Sequence, residues 1–202
     1  FTGTQDQANA ISAIVGPGAS GGNYTVQLSA VTIDGSDTLA TPVTDSFRLT
    51  LPQVITGGPL GESLNGGAGN QIIFGLGGND TINGGDGDDR IVGGVGGNTL
   101  TGGNGADIFA YGAGDLDANV DTITDFANGV GGDALDVASL LVGYVEGTSA
   151  LADFVRLNVS GGNTTVQIDA DGGGDSFQDL VIFQGVTGLD VDTMKTNGNL
   201  IV

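Results

Sequence analysis

Apolar positions recur through the middle of the chain with a period that fits neither a helix nor an isolated strand. From Gly57 to Ala110 the sequence divides without slip into six nonapeptides: GGPLGESLN, GGAGNQIIF, GLGGNDTIN, GGDGDDRIV, GGVGGNTLT and GGNGADIFA. The eighth place is always apolar, being Leu64, Ile73, Ile82, Ile91, Leu100 and Phe109 in turn. Glycine recurs at places one, two and four, where it supplies the positive φ that tight turns need. Each unit therefore reads as a six-residue turn followed by a three-residue strand. Two units make one coil, unit n stacks on unit n+2, and the eighth-place side chains form the only core that so narrow a roll can hold. A flexible glycine-rich linker has no reason to keep an apolar place in register.

The flanks follow other patterns. In Asn23 to Ile33, Tyr24, Val26, Leu28 and Ala30 alternate at period two, as in a half-buried strand, which ends at the turn Asp34-Gly35-Ser36. A second strand, Ser46 to Leu51, alternates Phe47, Leu49 and Leu51 before Pro52 stops it. Residues 1–56 are thus a short β-rich lead-in. They resemble the last strands of Ig-like or cadherin-like sandwich modules, but they fall short of the roughly 100 residues of a full sandwich, so a cap or connector for the repeats is the alternative. After Tyr111, the segments VDTITDF, GDALDVASLL, TTVQID and DLVIFQGV alternate β-type apolar stretches with acidic, glycine-rich loops. The loop DADGGGDSFQD has an EF-hand look, yet Gly173 stands where the third oxygen ligand belongs and no Glu closes it. It is expected to be the turn of a hairpin.

The six units resemble the RTX nonapeptide G-G-x-G-x-D-x-U-x, a calcium-binding β-helix repeat. The order of motifs after Tyr111 resembles the C-terminal target domain of type I secretion substrates. The match is carried by Asp121, Ile123, Asp125, Phe126, Gly132, Asp133, Leu135, Asp136, Leu140 and Leu141, with Val137 where Leu is commoner. The resemblance spans residues 57–202 and implies an all-β chain in three parts: the lead-in at 1–56, a parallel β-roll at 57–110, and a C-terminal cap and secretion domain at 111–202. It also implies that Leu200-Ile201-Val202 belongs to an export signal; a terminal strand added to a sheet is the alternative.

Calcium takes six to eight oxygens from carboxylates and carbonyls. Stacked turns offer the sixth-place side chain of each of two turns, namely Glu62, Asp80 and Asn98 on one edge and Gln71, Asp89 and Asp107 on the other. Backbone carbonyls of earlier places, among them those of Gly84, Asp86, Asp88, Gly102 and Asn104, complete the set. The carboxylates of Asp86 and Asp88 are expected to be solvated. Three turns per edge leave two gaps each, hence about four ions. The gap between Asp89 and Asp107 brings two carboxylates and should be tightest. Asp80 with Asn98 and Gln71 with Asp89 bring one charge each, and Leu60 in place of glycine weakens the pairing of Glu62 with Asp80. By the family resemblance, Asp121, Asp125 and Asp133 hold a capping ion where the roll ends; ordinary loop and cap roles are the alternative.

The outward places seven and nine differ between the two sheets. One face carries Ser63/Asn65, Thr81/Asn83 and Thr99/Thr101; the other carries Ile72/Phe74, Arg90/Val92 and Ile108/Ala110. A bare patch of Ile72, Phe74, Val92 and Ile108 is unusual in water. The segment after Tyr111 is therefore expected to cover it.

Composition narrows the function. Four basic residues face 24 acidic ones, for a net charge of −20 with no histidine, and the excess is greatest after Tyr111. Such a surface repels nucleic acid and anionic lipid and attracts cations. There is no cysteine, so a metal is left as the staple of a small extracellular module. No run approaches the ~18 to 20 apolar residues of a membrane span, and FTGTQDQANA lacks the features of a secretory leader. Without His or Cys, a Ser-His-Asp triad, a Cys-His pair and an HExxH zinc site are excluded from these residues. Paired carboxylates suit glycoside hydrolysis, but acids this numerous make no pair distinctive, and there is no Trp to stack a sugar.

The expected function is a non-enzymatic, calcium-dependent folding module that also carries the type I secretion signal of a large extracellular adhesin held at the bacterial cell surface. Its expected partner is the type I secretion ABC transporter complex during export, and the chain is expected to be a monomeric fragment of something longer. The alternatives are the C-terminal region of a secreted lipase or protease, and an ice- or ligand-binding module using the Ser/Thr ladder of the polar face.

Overall fold

The computed structural model describes residues 23–30 and 43–202, with side chains described from Leu51 onward. The chain divides into two compact units, Phe1–Gln53 and Val54–Val202. In the first, β1 (Asn23–Ala30) pairs antiparallel with β2 (Val43–Thr50), Tyr24 opposite Leu49. The turn expected at Asp34-Gly35-Ser36 lies outside the described residues, as does the rest of any sandwich.

The repeats form a parallel β-roll. Strands β4 (Ser63–Ala68), β6 (Thr81–Asp86) and β8 (Thr99–Asn104) stack in one sheet. In the other, β5 (Gln71–Phe74), β7 (Arg90–Val92) and β9 (Ile108–Ala110) stack, with β3 (Gln53–Thr56) at the edge beside β5. The register places Leu64 beside Ile82 beside Leu100, and Ile73 beside Ile91 beside Phe109, so alternate units do stack. Ile73, Ile82, Ile91 and Phe109 are wholly buried and Leu64 partly so. Each fully buried side chain of this kind contributes about 1.5–3 kcal/mol relative to exposure.

Within the repeats, the strands of the β5-β7-β9 sheet are three or four residues long. In the other sheet they run on through the next turn, pairing Gly67 with Gly85 and Gly85 with Gly103. Gly85 and Gly103, at φ of 110° and 103°, let the backbone turn the corner without losing the ladder.

The segment after Tyr111 continues the two sheets of the roll end-on, and Ala110 on the apolar face is buried. On the first sheet β10 (Asp121–Ile123) pairs parallel with β8, and a meander follows beyond it: β14 (Gln178–Phe183), β13 (Asn163–Ile168) and β12 (Val155–Ser160). On the second sheet β11 (Ala134–Asp136) pairs parallel with β9 and β15 (Leu200–Ile201) with β11. The physical reason is the exposed backbone of β8 and β9. An open sheet edge presents a row of unpaired N–H and C=O groups, and parallel strands satisfy them. Ile72, Phe74, Val92 and Ile108 remain half-buried, beside in-register neighbours along the ladder. Arg90 on that face reaches Asp136 of β11 at 2.9 Å.

One core therefore runs from the roll into the C-terminal block. Phe126 stacks on Phe183 with ring centroids 4.1 Å apart and lies 6.3 Å from Phe109. The fold is mostly β with one α-helix among the described residues, α1 (Val191–Asn197), which the strand pattern did not anticipate. Its signals are local ones. The Asp190 side chain accepts from the Thr193 N–H at the N-terminus, and Gly198 takes φ of 85° at the C-terminus.

Candidate metal centre

Each edge of the roll carries a hydrogen-bonded ladder of sixth-place side chains. On one edge the N–H of Glu62 donates to Asp80 Oδ1 (2.8 Å), that of Asp80 to Asn98 Oδ1 (2.9 Å), and that of Asn98 to Asp121 Oδ1 (2.7 Å). On the other the N–H of Gln71 donates to Asp89 Oδ1 (2.6 Å), that of Asp89 to Asp107 Oδ1 (2.9 Å), and that of Asp107 to Asp133 Oδ1 (3.0 Å). One oxygen of each carboxylate is thereby anchored to the preceding coil. The ladder is one rung longer than the repeats, because Asp121 and Asp133 of the C-terminal block take the sixth-place position.

The second oxygens decide the chemistry. Gln71 Oε1, Asp80 Oδ2, Asp89 Oδ2 and Asp107 Oδ2 are buried and accept no hydrogen bond. A Cβ added at Gly84 would collide with Asp89 Oδ2 and the Gly102 carbonyl; one at Gly75 would collide with Asp80 Oδ2 and the Gly93 carbonyl. At Gly66 the obstacles are Gln71 Oε1 and the Gly84 carbonyl. The place-one glycine thus keeps open a cradle where a side-chain oxygen of its own turn meets a carbonyl of the next coil.

Oxygens converging without a proton donor are unfavourable unless a cation joins them. Burial accordingly pushes the carboxyls of Asp80 and Asp89 above the ordinary range, and that of Asp107 up to about 6, with the nearby charges of Asp133, Asp89 and Asp125 adding to the effect. Burial raises Asp121 to about 7. Buried, converging, hard oxygen donors with no nitrogen or sulfur fit calcium.

The other sequence-derived candidates have different surroundings. Glu62 Oε2 accepts from the Gly58 N–H at 3.0 Å, so its own turn closes on it. Asn98 donates its side-chain amide to the carbonyls of Gly94 and Gly96. Asp125 accepts from the N–H groups of Gly102 (3.0 Å) and Gly103 (2.9 Å), and Asp133 Oδ2 accepts from that of Ala127 (2.8 Å). Asp121 and Asp133 join the edge ladders, and Asp125 caps the last turn. Asn199 anchors the Asp133 loop, donating to the carbonyls of Asp133 and Gly129.

The Gly84 and Gly102 carbonyls line cradles, whereas the Asn104 carbonyl accepts from the Gly87 N–H at 2.8 Å as part of the ladder. Asp86 and Asp88 are exposed, and their carboxylates also tie adjacent coils. Asp86 Oδ1 accepts from Asn104 Nδ2 (2.8 Å) and Asp88 Oδ1 from the Ala106 N–H (3.0 Å).

Three residues in these turns were not singled out by the repeat. Asn70 Oδ1 accepts from the Asp88 N–H (3.1 Å), Asn79 Oδ1 from the Gly97 N–H (3.0 Å) and Asp117 Oδ2 from the Gly96 N–H (2.8 Å). Asn70 and Asn79 share place five with Asp88, and that recurrence was the available signal; Asp117 lies outside the period and left none. Asp169, Asp171 and Asp175 approach one another in the loop joining β13 to β14, where Asp169 Oδ2 accepts from the N–H groups of Asp175 and Ser176 as in a closed turn.

The family model of the RTX calcium-binding nonapeptide repeat, four copies long, matches residues 56–91, 65–100 and 83–115. Among solved structures, the chain is similar to the R3 subunit of the mannuronan C5-epimerase AlgE6 from Azotobacter vinelandii. The two are 28% identical over 72% of this chain and 80% of that one, with a TM-score of 0.54. It is also similar to the R2 subunit of that enzyme, at 28% identity over 66% of this chain and 85% of that one, with a TM-score of 0.46. A comparison with curated proteins found no match.

Proposed function

We propose, from the premise that residues 56–115 carry RTX calcium-binding nonapeptide repeats, that this chain is a calcium-driven folding module and the C-terminal type I secretion region of a large extracellular adhesin. The observation that carries the folding half is the set of four buried oxygens, on Gln71, Asp80, Asp89 and Asp107, that accept no hydrogen bond from the protein. In a calcium-poor cytosol those oxygens repel one another and the net charge of −20 opposes compaction. The chain then stays open enough for the type I ABC transporter to thread it. Outside the cell, calcium when bound supplies the positive charge the cradles lack, and binding to the folded state alone stabilises it by about 2.7 kcal/mol per site at a hundredfold excess over Kd.

The secretion half is supported by the kind of repeat, since RTX proteins are typically secreted, and by the order of motifs after Tyr111. No helix among the described residues is long and apolar enough to cross a membrane. Retention at the cell surface belongs to the adhesin reading, which the strand-rich residues before the repeats support.

A second reading, a module of a polysaccharide-modifying enzyme, is favoured by the similarity to the AlgE6 R3 subunit over 72% of the chain. A mannuronan-binding assay on the calcium-loaded chain separates the two, since saturable binding favours the enzyme module.

Circular dichroism during a calcium titration, with magnesium as control and Asp89→Ala and Asp107→Ala as variants, tests the folding switch. The expected result is β signal that rises cooperatively with calcium, is lost in chelator and needs more calcium in both variants. A chain equally folded in excess chelator refutes it.

A further inference from the structure

We infer that the Asn98 turn is closed by its own amide and takes no calcium, so that the roll is loaded unevenly, chiefly along the edge of Gln71, Asp89 and Asp107. This rests on the calcium reading of the other turns.

The geometry of Asn98 is fully specified. It is buried, its Oδ1 accepts from the Asp80 N–H at 2.9 Å, and its Nδ2 donates to the carbonyls of Gly94 at 3.0 Å and Gly96 at 3.3 Å. A flipped amide would set Nδ2 against an N–H and Oδ1 against two carbonyls, so the partners on both sides fix the orientation.

The corresponding atom at Gln71, Asp80, Asp89 and Asp107 is an unsatisfied oxygen. A Cβ at Gly93 would lie 2.6 Å from Asn98 Nδ2, and a Cβ at Gly84, the same place in its turn, meets Asp89 Oδ2 instead. Asp80, Asp89 and Asp107 each leave that oxygen without a partner. At Asn98 the amide hydrogens go to the place-two and place-four carbonyls of its own turn, whereas the turns of Gln71, Asp80, Asp89 and Asp107 leave an oxygen there without a partner. The amide hydrogens do part of a cation's electrostatic work with no net charge of their own; the one carboxylate beside them is that of Asp121, whose Oδ2 would lie 3.1 Å from a Cβ at Gly93. A calcium ion here would have to displace both hydrogen bonds and meet an NH2 group, which offers no lone pair. The residues of this turn therefore do not fit the ion.

The distribution along the roll follows. On the edge of Glu62, Asp80 and Asn98, Glu62 is satisfied by the Gly58 N–H and Asn98 by its own turn, leaving Asp80 alone with an unpartnered oxygen. On the opposite edge Gln71, Asp89 and Asp107 all have one. The Asn98 turn is thus a joint, in the coil next to the C-terminal block, whose closure within the folded roll needs no ion.

Two substitutions in the full chain, with calcium counted per folded molecule by equilibrium dialysis, test this. Asn98→Asp converts the turn to an oxygen-only cradle like that of Asp89. It is expected to bind one more calcium than the parent and to need more calcium before it folds. Asn98→Ala removes the amide without adding a ligand and is expected to leave the number of bound ions unchanged, with a lower thermal midpoint in saturating calcium. Loss of one ion in Asn98→Ala would show that the Asn98 oxygen is a ligand and would overturn the inference, as would an unchanged count in Asn98→Asp. A parent that binds no calcium at all would instead overturn the folding-switch reading on which the inference rests.

Discussion

Replacing Asp107 by Asn should make the calcium-free chain more stable and the calcium-loaded chain less so. In the fold Asp107 is wholly buried, and burial with the charges of Asp133, Asp89 and Asp125 raises its carboxyl from the ordinary 3.8 to about 6. Keeping it ionised at neutral pH without a cation therefore costs about 3 kcal/mol, or roughly two orders of magnitude in the folding equilibrium. The amide keeps the oxygen that accepts from the Asp89 N–H and exchanges Oδ2, which has no partner, for an NH2 donor. It then stands where Asn98 stands in its own turn. Far-UV circular dichroism in excess chelator at neutral pH should show more β structure in Asp107→Asn than in the parent, while the calcium count falls by one and the calcium midpoint rises. A variant less folded in chelator than the parent would refute the claim that the unpaired charge, rather than a lost contact, is what keeps the calcium-free roll open.

Two other predictions follow from the same structure. The raised carboxyls of Asp107, at about 6, and Asp121, at about 7, penalise the calcium-free fold fully above those values and not at all below the unfolded value near 3.8. Folded content in chelator should therefore grow as pH falls from about 7 toward 4, and a flat or opposite profile by circular dichroism would contradict this. Leu76 occupies the place-two position with φ of 76° and an exposed side chain, whereas Gly85, Gly94 and Gly103 hold the equivalent turns without a Cβ. Leu76→Gly removes a left-handed strain of about 1–2 kcal/mol and should raise the thermal midpoint in saturating calcium; an unchanged or lower midpoint would argue against strain there.

The sequence by itself determined the coil. A nine-residue period with an apolar eighth place dictates which side chains face inward, that alternate units stack, and that sixth-place oxygens line two edges, because these consequences follow from local backbone geometry and spacing. It also marked Glu62 as an atypical start, through Leu60.

Three matters were decided only by tertiary structure. The block after Tyr111 joins the open edges of β8 and β9 through β10 and β11; the apolar pattern counts side chains and is blind to unpaired backbone at a sheet edge. Asp121 and Asp133 continue the edge ladders although they lie 23 and 26 residues beyond their partners, outside the repeat period of 18. Asn98 and Asp89 occupy the same place in the nonapeptide, yet one is satisfied by its own turn and the other has a free oxygen. That difference depends on where each second side-chain atom points and what it meets, which spacing along the chain cannot specify.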